Sequence, residues 1–443
     1  MIITLFIYLT KKCIYLFFPT TTFIYRSILL VLVMVLKTMP TISLAELANG
    51  QPLSLVSLLW EAALDVGFFE LDARKADLAF PHRGQVEYLR NELLEEWNRF
   101  AALPLEVKME YYDAEGGGER GYIPVGGEQS GFAGGRKASV FEWREQFAIG
   151  PSLDDSDPRA DYDPLFYRRN IVGKHSDRLV RLGNALLETL DEQHVHVYDA
   201  YSRALGLPEE FLGYAMVGGN KILRINHCPA LDGEVVSSDF VDGMRTLHVR
   251  FRKPEPVYDA RTGAWGTVQE IQHLARADRH TDIACLTFLL GATKPGLMIQ
   301  QRNGDVAGFT SIDGHRVVNA GDILQHLSGG LFVSSPHWVE ADEETIYEPR
   351  TSITEFDHPR PLYALLVPHN LQVQGKAYSA EFAGLSGMRR FKEIGLISEQ
   401  AYQERARQIN ELSQRITDDD TVQRILKDGP PPLKRLMERY VTD

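Results

Sequence analysis

A change of apolar periodicity near Gly218 constrains the fold of this 443-residue chain more than any other feature. Before this glycine, apolar residues recur mainly at steps of three and four, which predicts helices. After it, short apolar runs are separated by Gly, Asp, Asn and Pro, without amphipathic helices between them. Short strands in such close succession are typical of an antiparallel sandwich or jelly roll. We therefore expect an α+β protein with a β-rich core.

The pattern divides the chain into four segments. They are an apolar extension at 1–38, a mainly helical N-terminal region at 39–217, a jelly-roll domain at 218–370 with an insertion at 234–272, and a C-terminal helical tail at 371–443. The strands predicted for the jelly roll are 222–225, 283–290, 297–301, 316–319, 323–327, 331–334, 352–356 and 363–367.

Two long amphipathic helices are predicted in the N-terminal region. The first should end near Pro104, because a proline disfavours helical geometry in the residue before it. Its apolar stripe consists of Val86, Leu89, Leu93, Trp97 and Phe100. The second covers 179–201, begins after a cap at Ser176 or Asp177, and ends before Gly206. A glycine-rich loop at 115–137 separates the two helices.

Residues 1–38 allow three interpretations. The segment is almost entirely apolar, but its longest run without a charge has 13 residues and contains a proline, which is short of the 18 or so that a spanning helix needs. Translation could start near Met34 or Met39, so that the extension is not part of the protein. Alternatively, residues 13–36 form a membrane anchor, or the segment is a cleaved signal peptide.

Charge and cysteine content limit the partners and the compartment. The 47 basic and 60 acidic side chains give a formal charge of −13, which repels phosphate backbones, so no nucleic-acid partner is expected. Cys13, Cys228 and Cys285 are too few and too scattered for a disulfide framework. We expect a cytoplasmic protein, with anchoring through 13–36 as the alternative.

A candidate metal site combines two histidines and an aspartate. His280-Thr281-Asp282 opens the predicted strand 283–290, where period two would place His280 and Asp282 on one face. His337 is the candidate third ligand from another strand. Two imidazoles and one carboxylate form the facial triad of non-haem Fe(II), which leaves three coordination positions open. Zinc would usually take a closed or nearly closed tetrahedral set.

A candidate anion site follows the last of these ligands. Strand alternation aims Arg350 and Ser352 of Arg350-Thr351-Ser352 into the same barrel. A guanidinium beside a hydroxyl can bind a carboxylate in bidentate fashion, such as the far end of a dicarboxylic co-substrate. By contrast, His227 is interpreted as a pocket-wall group or a group that supports a ligand, rather than as a ligand itself. His326 is interpreted as a structural residue of a buried strand.

The order of these motifs resembles that of the 2-oxoglutarate and Fe(II)-dependent dioxygenases, in the branch that includes isopenicillin N synthase. HTDIACLTFLLGATKPGL is similar to the family's block for the first two iron ligands, NAGDILQHLSGGLFVSSPH to its distal-histidine block, and RTS to its R-x-S. In the N-terminal half, LDVGFFEL and FAALPLEVK are similar to further family blocks. The resemblance covers about residues 42–395.

The resemblance implies a double-stranded β-helix (jelly roll) and an oxidoreductase that uses Fe(II), 2-oxoglutarate and O2, with ascorbate as an optional reductant. His280, Asp282 and His337 would hold the metal. Arg350 and Ser352 would bind the distal carboxylate of 2-oxoglutarate, with Asn226 as a weaker contact. The expected product is a hydroxylated or desaturated small molecule, for which a secondary metabolite is the favoured class, and we expect a monomer.

Two other functions remain open at this point. The first is an oxidase of the isopenicillin N synthase type, which takes all its electrons from the substrate and needs no 2-oxoglutarate. The second is a catalytically dead binding protein, against which the intact His-Asp-His set weighs.

Three departures from the family pattern qualify the resemblance. Cys228 stands where the family's N-x-Y-P strand has tyrosine, which leaves one hydrogen bond to the keto acid in doubt. His315 falls where relatives often have tryptophan. The stretch 234–272 lies where the family commonly has a short connection, and its lack of apolar periodicity favours either a lid or translated intron sequence.

Overall fold

The computed structural model describes residues 39–441, except 51, 76–79, 81–84, 114–117, 129–139, 163–166, 260–261, 311–313, 369–370, 372–380 and 394–396. The described residues from Pro40 onward belong to one compact unit. The interpretations of 1–38, and most of the loop predicted at 115–137, lie outside the described residues. Among the described helices, none is both long enough and apolar enough to cross a membrane. The four-segment division stays a prediction.

Most of the described strands lie after Gly218, as the change of periodicity predicts. In chain order the strands are β1 (Thr41–Ser43), β2 (Phe68–Asp72), β3 (Gly121–Ile123), β4 (Phe141–Glu142), β5 (Glu145–Ile149), β6 (Lys221–Cys228), β7 (Gly233–Val241), β8 (Met244–Asp259), β9 (Ala264–Ala275), β10 (Ala277–His280), β11 (Leu286–Ala292), β12 (Leu297–Gln300), β13 (Val306–Phe309), β14 (His315–Ala320), β15 (His337–Val339), β16 (Arg350–Asp357), β17 (Ala364–Leu365) and β18 (Glu381–Phe382).

Two mainly antiparallel sheets enclose the cavity described below. The larger sheet has the strand order β1-β2-β14-β11-β16-β6-β5-β3, and the smaller has the order β10-β15-β12-β13. Strands that are distant in the chain are neighbours in both sheets, so crossovers connect one sheet to the other. This is the two-sheet arrangement expected from the short, closely spaced strands.

Helices pack against the larger sheet and form the C-terminal tail. They are α1 (Leu44–Ala48), α2 (Leu53–Asp65), α3 (Gln85–Ala101), α4 (Leu105–Met109), α5 (Asp177–Ala204), α6 (Glu210–Met216), α7 (Asp322–Leu327), α8 (Ala383–Glu393), α9 (Glu399–Ser413), α10 (Asp418–Asp428) and α11 (Pro431–Glu438). The two long helices predicted from apolar stripes are confirmed as α3 and α5. The predicted stripe of α3 is buried, and Ser176 is the N-cap residue of α5.

Two predicted strands are wrong. Residues 323–327 belong to helix α7, and 331–334 form no strand. The spacing of Ile323, Leu324 and Leu327 also fits one face of a helix, and so short a run cannot distinguish the two structures by periodicity. His326 therefore lies in a buried helix rather than in a strand.

The stretch 234–272 consists mainly of strands, although its sequence shows no regular apolar period. Strands β7, β8 and β9 form an antiparallel meander whose β9 also pairs with β4, and we call residues 233–275 the β-arm. Leu247, Val249 and Phe251 alternate along β8 and are at most 2% exposed. Register shifts interrupt the pairing of β8 with β9, so the two-residue period is lost between these short stretches.

The β-arm has its own apolar core and supports a neighbouring loop. Its buried residues pack with Trp143, Leu231, Ala341 and Ile346 from the rest of the chain. The Tyr258 N–H donates to the carbonyl of Val125 at 2.9 Å. Gly126 has a φ of 85°, and a Cβ there would lie 2.3 Å from the Tyr258 carbonyl, so only glycine fits this contact. The β-arm thus holds the loop that leads to Glu128.

Candidate metal centre

A cavity lies between the two sheets, and alternate residues of β6 and β16 form one of its walls. The facing pairs on this wall are Cys228 with Arg350, Asn226 with Ser352, Arg224 with Thr354, and Ile222 with Phe356. Because successive side chains of a strand point to opposite faces, the even-numbered residues of both strands share the cavity side. The predicted anion-binding residues therefore lie in the same cavity as the predicted metal ligands.

His280, Asp282 and His337 come together at the edge of the smaller sheet. His280 ends β10, His337 begins β15, and the two residues are paired directly in the antiparallel ladder. The Nε2 atoms of both histidines lie 3.6 Å from Oδ1 of Asp282. All three donor atoms lie within 4.8 Å of one another, which suits a single cation bound between them.

Asp282 reaches this position by a different route from the one predicted. It does not share a strand with His280, because β10 ends at His280 and β11, which belongs to the larger sheet, begins only at Leu286. The chain crosses between the sheets at Asp282, and this crossing turns its carboxylate toward the two imidazoles.

Hydrogen bonds orient the three side chains for metal binding. Nδ1 of His280 lies 2.7 Å from the Asp278 carbonyl, and Nδ1 of His337 lies 3.1 Å from the Ser335 carbonyl. Each Nδ1 must therefore carry the proton, and each Nε2 presents its lone pair to the centre. Burial lowers the pKa of both histidines, so both are neutral near pH 7. The donor set fits Fe(II).

The carboxylate of Asp282 is also fixed by a residue that sequence reasoning missed. Burial raises the pKa of Asp282, but His337 and His280 lower it by more than burial raises it. The net pKa is below the usual value, so Asp282 stays ionised. Asn319 donates from Nδ2 to Oδ2 of Asp282 at 2.8 Å, which leaves Oδ1 for the cation. The sequence did contain a sign of this role, because Asn319 is the first residue of the NAGD motif, which opens the distal-histidine block.

Arg350 is a buried cation that faces the cavity. It is 3% exposed, and its Nη1 donates to the Ser352 hydroxyl at 3.3 Å. Its Nε donates to the carbonyl of Lys294 at 3.1 Å. Burial lowers the pKa of Arg350 to about 10, so it remains charged at neutral pH. No carboxylate of the described residues forms an ion pair with it, and a carboxylate ligand would fit this position.

Asn226 lies next to Ser352 across the ladder, but its amide is engaged. It accepts from Nε2 of Gln146 at 2.8 Å and donates to the hydroxyl of Thr354 at 3.3 Å. One amide hydrogen therefore remains for a ligand.

A charged wall on the same cavity was also missed. Nη1 of Arg224 lies 3.2 and 3.0 Å from the two oxygens of Glu128, and Arg144 lies 3.7 Å from Glu128 and 2.6 Å from Glu142. Burial raises the pKa of Glu128, but Arg224 and Arg144 lower it by more than burial raises it, so the carboxyl is ionised. Arg224 could have been found, because it lies two residues before Asn226 on a predicted strand.

A second group of possible metal ligands is already neutralised. His194, Glu355 and Asp357 are buried together, but the Lys221 ammonium lies 3.4 Å from Glu355 and 3.0 Å from Asp357. Nε2 of His194 lies 3.2 Å from a guanidinium nitrogen of Arg316 and must accept from it. An internal cation thus takes the place that a metal would need.

His227 is not a pocket-wall group, and the expectation that it is no metal ligand stays a prediction. Odd-numbered residues of β6 point away from the cavity, and Nδ1 of His227 lies 2.8 Å from the hydroxyl of Thr351 on the same outer face. Its ring also packs against Trp97 of α3, with the ring centroids 5.6 Å apart.

Comparisons with known proteins agree with this site. Two family models match, a non-haem dioxygenase N-terminal domain at residues 39–172 and the 2OG-Fe(II) oxygenase superfamily at 269–359. A "Probable iron/ascorbate oxidoreductase" of Dictyostelium discoideum is 25% identical over 263 residues, which are 55% of this chain and 61% of that relative. A "2-oxoglutarate-dependent dioxygenase" of Gibberella zeae is 24% identical over 328 residues, which are 71% of this chain and 74% of the relative.

The fold is also found among solved structures. A crystal structure of a 2OG-Fe(II) oxygenase family protein from Caulobacter crescentus superposes with a TM-score of 0.61, at 22% identity, over 80% of this chain and 99% of that one. The predicted jelly roll is therefore confirmed. The chain belongs to the 2OG-Fe(II) oxygenase superfamily, a family of oxidoreductases that use Fe(II) and O2, with 2-oxoglutarate as the usual co-substrate. The family and the cofactors predicted from the motifs are confirmed with it.

Proposed function

We propose that this protein is an Fe(II)- and 2-oxoglutarate-dependent oxygenase that hydroxylates or desaturates a small molecule, with a secondary metabolite as the favoured class. One observation carries the proposal: the His280, Asp282 and His337 donor set and the buried, carboxylate-free Arg350 face the same cavity. A metal ligand set alone would fit many chemistries. A cation positioned beside it fits the far end of a dicarboxylic keto acid.

The residues of the site have distinct tasks in this proposal. His280, Asp282 and His337 would hold the metal on one face and leave the opposite positions open. Arg350 and Ser352 would bind the distal carboxylate of 2-oxoglutarate, with the free amide hydrogen of Asn226 as a further donor. When bound, iron and 2-oxoglutarate would supply the oxidising chemistry: one atom of O2 would enter succinate as CO2 is released, and the other would oxidise the substrate.

The cavity supports a small and largely apolar substrate. The cavity opens to solvent and extends past the metal ligands and Arg350 to apolar side chains, which gives a small molecule access beside the co-substrate. Phe68, Leu289, Val317 and Phe391 line it and would exclude water from the reacting groups. Phe391 comes from helix α8, so the C-terminal tail contributes to the substrate side.

Iron binding tests the ligand assignment. His280→Ala or His337→Ala should weaken anaerobic Fe(II) binding by more than the roughly 10- to 100-fold typical of losing a group that only supports a ligand. His326→Ala is the matched control, because it removes a buried histidine that lies outside the cavity. If His280→Ala binds Fe(II) as the parent does, the ligand assignment is wrong.

Co-substrate use tests the reaction type. Arg350→Leu should raise the Kd for 2-oxoglutarate by an amount equivalent to about 2 to 5 kcal/mol, because a desolvated carboxylate loses its charged partner. Fe(II) affinity should stay unchanged. Each turnover should release one succinate, measured together with O2 uptake across a small-molecule panel. Substrate oxidation without succinate would instead favour an oxidase of the isopenicillin N synthase type.

A further inference from the structure

A second buried arginine lines the cavity without a carboxylate partner. Arg276 is 1% exposed, and its Nη2 donates to the carbonyl of Thr345 at 2.6 Å and to that of Glu348 at 3.3 Å. Its Nε has no hydrogen-bond partner among the described residues, and it forms no ion pair with them. Asp342 and Glu348 raise its pKa by less than burial lowers it, but no described carboxylate forms an ion pair with it, and a buried guanidinium in that position is costly unless a ligand brings a negative charge.

Arg276 and Arg350 line the same cavity from opposite sheets. Arg276 directly precedes β10 of the smaller sheet, whereas Arg350 begins β16 of the larger one. Cys228 joins them, because it pairs with Arg350 in the ladder and its Sγ lies 3.7 Å from the Arg276 carbonyl. The carbonyl of Glu348, which holds the Arg276 guanidinium, lies two residues before Arg350. Burial lowers the pKa of both arginines, and the nearby charge of Arg276 also lowers the pKa of Arg350.

We propose that Arg276 is a second cationic contact for the distal carboxylate of 2-oxoglutarate, acting beside Arg350 from the opposite sheet. This inference rests on the proposed function. A carboxylate has two oxygens, so Arg350 with Ser352 can serve one oxygen while Arg276 serves the other. The thiol of Cys228 is a weak donor, and Arg276 supplies the hydrogen bond that the sequence leaves in doubt at this position.

A purely structural role is the competing explanation, because Arg276 also joins its strand to Thr345 and Glu348. Arg302 provides a matched control for that role. Its Nη2 donates to the carbonyls of Gly330 and Leu331 at 3.0 and 2.9 Å, but Arg302 is exposed and lies outside the cavity.

The test compares two ligands that differ only at the distal end. Fe(II)-loaded protein is titrated anaerobically by calorimetry with 2-oxoglutarate and with 2-oxopentanoate, in which a methyl group replaces the distal carboxylate. Arg276→Met should weaken the binding of 2-oxoglutarate by about tenfold to hundredfold, which is the range for losing a hydrogen bond to a charged group. Binding of 2-oxopentanoate should not change. Arg302→Met should leave both affinities at the parent values.

The outcomes separate this inference from the proposed function. Equal weakening of both ligands by Arg276→Met, or no weakening of either, overturns the inference. Arg350→Met is measured in parallel: if it weakens 2-oxoglutarate and Arg276→Met does not, only the role of Arg276 is wrong. If neither variant discriminates between the ligands, the co-substrate site of the proposed function is wrong as well.

Arg276→Lys keeps the test decisive if the methionine variant does not fold. Lysine retains a cation on a long stem but cannot hold two carbonyls with a planar fork. Its preference for 2-oxoglutarate over 2-oxopentanoate should stay within about threefold of the parent, since the charge is kept. A complete loss of that preference in a folded lysine variant would mean that the fork shapes the strand and that its charge does not bind the ligand.

Discussion

Replacing Asn319 by alanine should weaken iron binding without unfolding the protein. Asn319 and Asp282 are 4% and 5% exposed, and the amide donates to Oδ2 of the carboxylate at 2.8 Å. Without this donor, the carboxylate can rotate away from the orientation that directs Oδ1 to both imidazoles. The metal must then fix that orientation itself, so its affinity falls.

The structure sets the size of this effect. The lost contact is one buried hydrogen bond to an ionised group, worth about 1.5 to 3 kcal/mol, so the Kd for Fe(II) should rise by about 10- to 150-fold. This agrees with the roughly 10- to 100-fold cost of removing groups that orient metal ligands. Loss of a ligand itself, as in His280→Ala, should cost more.

Anaerobic calorimetric titration with Fe(II) measures the change in Kd directly. Asn170→Ala is the matched control, because it removes an amide that is hydrogen-bonded far from the metal site in the sequence. Oδ1 of Asn170 accepts from the N–H of Gly150 at 2.8 Å, and Nδ2 donates to the carbonyl of Gly150 at 2.9 Å. It should lower stability but leave the Kd for Fe(II) unchanged. A folded Asn319→Ala variant that binds Fe(II) within about twofold of the parent would refute the idea that this amide orients Asp282.

Three further predictions concern stability. Leu247→Ala should lower the unfolding free energy in urea by about 2 to 5 kcal/mol, because the side chain is fully buried in the β-arm core, and a change below about 1 kcal/mol would contradict that packing. Deletion of residues 234–272 should lower the urea midpoint and expose apolar surface to a hydrophobic dye, whereas an equally stable shortened chain would show that the β-arm is dispensable. Burial and Glu355 raise the pKa of Asp357 to about 6. The folded state therefore retains a proton that the unfolded chain releases near pH 4. Because the folded state binds more protons, the unfolding free energy should fall as the pH rises from about 4 to 6. Asp357→Asn should remove this part of the pH dependence, on the order of 1 kcal/mol per unit of pKa shift, in urea unfolding at pH 4.5 and 6.5.

Features that depend on local spacing could be predicted from the order of the amino acids. The stripe from Val86 to Phe100 requires a helix, since residues three and four apart share a face. Alternation along β6 and β16 places Asn226, Arg350 and Ser352 on one side of a sheet, as the structure shows. His280, Asp282 and His337 were identified because their residue types and order match a known ligand pattern.

Features that depend on contacts between distant parts of the chain could be seen only in the folded protein. The run at 323–327 is too short for its period to distinguish helix from strand. In the structure it forms helix α7, whose apolar residues are buried. The two-residue period of the β-arm is broken by register shifts, so its core appears only when β8 meets β9 and Trp143. Arg276 carries no local signal of function, because what matters is which charge lies opposite it, and opposite residues come from other strands. Asn319 opens the NAGD motif, but only the structure shows that its amide donates to the carboxylate of Asp282.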